Sequence, residues 1–127
     1  MRIQFYFDIF PQAKERPRFA SRKKFVHSYT APKTKSFENT ISILAKEQMK
    51  GMTPLSGLLH ATVEFHFATP KKTKLLTPKK DLDNLCKSLF DALNDVVYND
   101  DTQIVSLMAG KKWSDKDQIV LVILEIE

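Results

Sequence analysis

The stretch Pro78–Ile104, PKKDLDNLCKSLFDALNDVVYNDDTQI, decides how the chain is read. Leu82, Leu85, Cys86, Leu89 and Leu93 recur at helical spacing, so residues 82–94 predict an amphipathic helix. Asp83, Lys87 and Asp91 step along another face at i, i+4. Asp81 stands at the N-cap position, which puts Asp81 and Asp83 near the positive end of the helix dipole. After a short connection, Val96–Asn99, come Asp100 and Asp101 at the start of a strand. Asp81, Asp83, Asp100 and Asp101 thus gather around one helix that also carries a lysine.

Working outward, LLHATVEFHFATP alternates, with Leu59, Ala61, Val63, Phe65 and Phe67 on one face. This is the pattern of a half-buried strand. Before it, TKSFENTISILAKEQMKG spaces Phe37, Ile41, Leu44, Ala45 and Met49 as a helix, with Ser36 as N-cap and Gly51 as the stop. Residues 1–10 read as a strand rather than a signal peptide, since Asp8 interrupts them and no small-residue cleavage site follows. TQIVSLMAGKKW and DQIVLVILEIE read as two final strands joined by a turn at SDKD. The order β-α-β-α-β-β predicts one α+β domain over residues 1–127, a small mixed sheet with two helices.

Outside the acidic stretch the chain is basic: net charge is +5 and the pI about 9.3. That balance favours polyanionic partners, nucleic acid first. Two segments concentrate the cations. Residues 11–36 hold Lys14, Arg16 and Arg18, with Phe19, Phe25 and Tyr29 available to stack on bases. Residues 70–80 hold Lys71, Lys72, Lys74, Lys79 and Lys80 and no acid. The longest apolar run, Ile119–Leu124, is far short of the ~18 residues of a membrane span. A lone cysteine, Cys86, rules out an internal disulfide and fits a reducing cytoplasm.

Hard divalent cations take carboxylate oxygens, commonly one or two, together with water and substrate phosphate. A basic surface interrupted by a compact acidic site is therefore what a metal-dependent nuclease needs, because bare carboxylates would repel the phosphates. Lys87, one turn beyond Asp83, is placed to pair with Asp83 without metal and to meet a phosphate oxygen with substrate. By spacing alone, capping, a surface ion pair and turn chemistry account for the same residues better than a metal site does.

The combination is more specific than its parts. DLDN opening a helix, a lysine four residues after the second Asp, then DAL, a hydrophobic stretch and DDTQI, closely resemble the signature of the RusA family of Holliday junction resolvases. KERPR (Lys14, Arg16, Arg18) and SYTAPKT match its N-terminal loop, and Lys111 or Lys112 matches a basic residue in the strand after the acidic pair. The resemblance implies a Mg²⁺-dependent endonuclease, with Mn²⁺ as substitute, acting as a homodimer on branched DNA in a bacterial or prophage setting. It implies metal ligation by Asp81, Asp83 and Asp101, assistance from Asp100, and a catalytic role for Lys87. The segment NDVVYN is shorter than the family pattern and lacks its glycine, so the choice between Asp100 and Asp101 stays open. The alternative is a non-catalytic basic DNA-binding module, which predicts dispersed carboxylates where the nuclease predicts Asp81, Asp83 and Asp101 in convergence.

Overall fold

A computed structural model describes residues 1–15, 18–22, 25–29 and 31–126, without the side chains of 18–22 and 25–29. The elements are β1 (Arg2–Phe7), β2 (Arg18–Arg22), β3 (Phe25–Tyr29), α1 (Pro32–Met49), β4 (Leu59–Ala68), α2 (Leu82–Ala92), β5 (Ile104–Ser114) and β6 (Gln118–Glu125). The expected α+β order holds. β2 and β3 form a separate antiparallel hairpin.

The main sheet has the order β1-β6-β4-β5. β6 runs antiparallel to β1 and β4, while β4 and β5 are parallel. A parallel pair needs a crossover, and α2 supplies it. The alternation read in β4 is realised: Leu59, Ala61, Val63, Phe65 and Phe67 are buried. They pack with Phe5 and Phe7 of β1, Ile119, Leu121 and Ile123 of β6, and the apolar stripes of both helices. Both helices therefore cover one face of the sheet. On the other face, His60 bonds Ser106 and Thr62, and His66 bonds Glu64.

Two expectations need correction. The two final strands are not hairpin partners, because β4 lies between them. Residues 115–117 span two inter-strand spacings, about 10 Å, and Asp117 accepts a hydrogen bond from the Ala68 amide at the end of β4. Helix α1 begins at Pro32, a turn before the expected Ser36 cap. Proline at the first helical position needs no amide partner, and buried Thr34 accepts a bond from the Glu15 amide. The helix stops as expected, with Lys50 and Gly51 both at positive φ. No described helix is long and apolar enough to cross a membrane.

Candidate active site

Helix α2 carries its apolar residues inward, with Leu85 and Leu89 fully buried. The face that carries Leu82, Asp83, Cys86, Lys87, Phe90 and Asp91 forms one wall of an open groove of about 810 Å³, and the start of β5 forms the other. Asp83, Lys87, Asp91 and Asp101 line this groove together with Leu82, Cys86, Phe90, Ile104, Val105, Leu107 and Ala109. Tertiary structure thus returns Asp101 to the helix face that bears Asp83 and Lys87.

Asp100 and Asp101 have different roles. Asp100 is the N-cap of a single 3₁₀ turn, Asp101–Gln103. Its carboxylate accepts from the Thr102 amide (3.2 Å) and hydroxyl (2.6 Å), and those bonds hold its pKa below the usual value. The Gln103 side chain closes the box on the Asp100 amide and also donates to the Leu55 and Gly57 carbonyls. Asp101, its amide bonded to Asn94, faces the groove. Burial holds the Asp101 carboxyl above the usual carboxylate value, joined by a hydrogen bond with Asp91 and the charges of Asp100 and Asp91, against the pull of Lys87.

Asp81 occupies the N-cap position of α2, yet its side chain makes no capping bond. Its Oδ2 accepts from the Asn84 side chain at 3.4 Å, and it is not among the groove-lining residues. Lys87 also departs from expectation. Its ammonium pairs with Asp91 Oδ2 at 3.8 Å, not with Asp83. Negative charge accumulates at the Asp91–Asp101 end of the groove, and the lysine follows it. Asp91 is a groove residue to which the sequence motif assigns no role; its place on the Asp83–Lys87 face is the signal that marks it.

The cations divide by role. Lys71, Lys72, Lys74, Lys79 and Lys80 are exposed in the loop that leads into α2. Lys111 lies next to buried Phe65 in register, on the helix side of the sheet, and its ammonium donates to the Lys80 carbonyl at 2.6 Å. Lys112 is instead 4.0 Å from Glu64 on the far face. Lys14, grouped on sequence with the phosphate-contacting residues, has its ammonium 2.7 Å from Glu38 and 3.3 Å from Asp91. Arg16 lies outside the described residues, as do the side chains of Arg18, Phe19, Phe25 and Tyr29. Burial pushes the Cys86 thiol up to about 11, which suits a core residue rather than a nucleophile.

Among the described residues no group of three or more His, Cys, Asp or Glu side chains is disposed to hold a metal ion. Asp83 and Asp101 are nonetheless two hard-oxygen donors lining one groove. A Mg²⁺-type ion commonly takes only one or two carboxylates with water and substrate phosphate, so each of the two is a candidate ligand.

Comparison with known proteins shows the family of the chain. A family model described as Endodeoxyribonuclease RusA matches residues 8–124. The uncharacterized protein YqaN of Bacillus subtilis strain 168 is 31% identical over 130 residues, covering 91% of each chain. The acidic groove beside α2 thus lies in a chain that belongs to the RusA family of endodeoxyribonucleases.

Proposed function

We propose that this chain is a divalent-metal-dependent endonuclease that resolves Holliday junctions or related branched DNA by paired nicks, as a homodimer. The observation that carries the reading is the meeting of Asp83, Lys87 and Asp101 in one groove beside a lysine-rich loop. Asp83 and Asp101 would hold Mg²⁺ or Mn²⁺, with Asp81, at the N-cap position of α2 and outside the groove lining, as a further candidate. When bound, such an ion supplies a Lewis acid and lowers the pKa of its water. Lys87 provides a positive charge for a non-bridging phosphate oxygen as negative charge develops there. Asp100 serves by holding the 3₁₀ turn that aims Asp101. Lys71, Lys72, Lys74, Lys79, Lys80 and Lys111, with Arg16 and Arg18, contact the phosphate backbone, which suits recognition of branch shape over base sequence.

A junction has approximate two-fold symmetry, so a C₂ dimer would present one groove to each of two strands. β5 supports this assembly: its outer edge is unpaired among the described strands, and it exposes Val105, Leu107 and Met108.

The decisive experiment is cleavage of a synthetic four-way junction and of a linear duplex, with Mg²⁺ or EDTA, by wild type and Asp83→Asn. Symmetric nicks in the junction alone, lost with EDTA and in the variant, are the expected result. Tight binding without cleavage under any divalent ion would replace this reading with the DNA-binding module.

A further inference from the structure

Building on the nuclease reading, we propose that Asp91 is a positioning residue: it fixes where the Lys87 ammonium stands, and Lys14 fixes Asp91. Two ammonium groups, one from the segment after β1 and one from α2 itself, meet on this one half-buried carboxyl. Lys14 Nζ lies 3.3 Å and Lys87 Nζ 3.8 Å from the same oxygen, Oδ2. Asp101 lines the same groove as Asp91 and Lys87. Among the described residues no other carboxylate lies within ion-pair distance of Lys87, which is 62% exposed and otherwise free to swing.

Lys14 suits the task because it is anchored at both ends. Its amide donates to the Asn84 carbonyl of α2 at 2.9 Å, and its ammonium is held by Glu38 of α1 at 2.7 Å. The neighbouring residue Glu15 is tied through its amide to buried Thr34. The Ser88 hydroxyl donates to the Gln12 carbonyl two residues before Lys14. A lysine so constrained loses little further freedom on meeting Asp91 and presents a fixed charge to it. Charge-assisted bonds of this kind are short and directional. The chain of contacts runs Glu38–Lys14–Asp91–Lys87.

A clamp that merely held the 11–15 segment against α2 would predict lower stability and no specific link to Lys87. The test is therefore a double-mutant cycle. For wild type, Asp91→Asn, Lys14→Met, Lys87→Ala and the double variants with Lys87→Ala, three quantities are measured: nicking kcat on a four-way junction with Mg²⁺, junction Kd in EDTA, and Tm. Asp91→Asn should lower kcat on the order of 10²-fold, the scale of a misplacement by about 1 Å. Junction Kd should stay within about twofold. In that background Lys87→Ala should cost far less than in wild type, because the lysine is already misplaced. Unchanged kcat, or losses that simply multiply, would overturn the proposal. Should Asp91→Asn not fold, the Lys14→Met and Lys87→Ala cycle reads the same coupling, since Lys14 reaches Lys87 only through Asp91. A wild type that cuts no junction with Mg²⁺ or Mn²⁺ sinks the nuclease reading itself, an outcome the wild-type control separates from a failure of the Asp91 assignment.

Discussion

At the scale of single residues, Asp100 and Asp101 are adjacent and alike in sequence, yet their environments separate them. One is ionised and capping, its pKa lowered by Thr102; the other is pushed up by burial and by its acidic neighbours. The stability consequence has a definite sign. Because the folded-state pKa of Asp101 is raised, its contribution is complete below the ordinary value of 3.8 and is lost as pH rises through the raised value. Asp101→Asn should therefore melt above wild type at neutral pH, with the gap closing in acid, as thermal unfolding across pH will test. The same substitution should abolish nicking while retaining junction binding, because it removes negative charge near the phosphates. Weaker binding would count against the assignment.

At the scale of elements, α2 performs two tasks at once. Its inner stripe anchors it on the sheet, and its outer face aligns Asp83, Lys87 and Asp91. Leu89 is fully buried in that stripe, so Leu89→Ala should cost about 2–5 kcal/mol of stability in denaturant unfolding. If the cost proved much smaller, α2 would be less firmly docked than its burial implies. The 3₁₀ turn is the complementary element. Gln103 ties it to the Leu55 and Gly57 carbonyls, so the backbone that presents Asp101 is anchored to the segment leading into β4. Asp100→Ala should lower Tm, and should lower nicking by releasing the turn, with junction affinity in EDTA retained.

At the scale of the whole molecule, the proposed nuclease depends on charge separation: a groove holding Asp83, Asp91 and Asp101 in a chain of net charge +5. Replacing Lys71, Lys72 and Lys74 together by Ala should weaken junction binding. It should also flatten the dependence of log K on log[salt], by about 0.9 for each phosphate that the variant no longer neutralises. An unchanged slope would take the 70–80 loop off the DNA. Met108, 65% exposed on the open edge strand, tests the assembly. Met108→Lys should shift sedimentation toward the monomer, since a charged side chain on an edge strand opposes pairing; an unaltered dimer would place the interface elsewhere.

Local periodicity determined the elements. The spacing of Leu82, Leu85, Cys86, Leu89 and Leu93 suffices for α2, and the alternation from Leu59 to Phe67 suffices for β4, because burial on one side imposes a 3.6 or a 2.0 repeat directly on the residues. The DLDN…DAL…DDTQI spacing likewise carried the family. Contacts between segments far apart in sequence were decided only by the tertiary structure. No local pattern records that β4 inserts between β5 and β6, or that Asp101 rather than Asp100 faces the groove. Nor does any local pattern place Lys14, just after β1, on Asp91 at the end of α2. Such pairings depend on which surfaces meet once the core has closed, and a carboxylate's partner is set by that closure rather than by its neighbours along the chain.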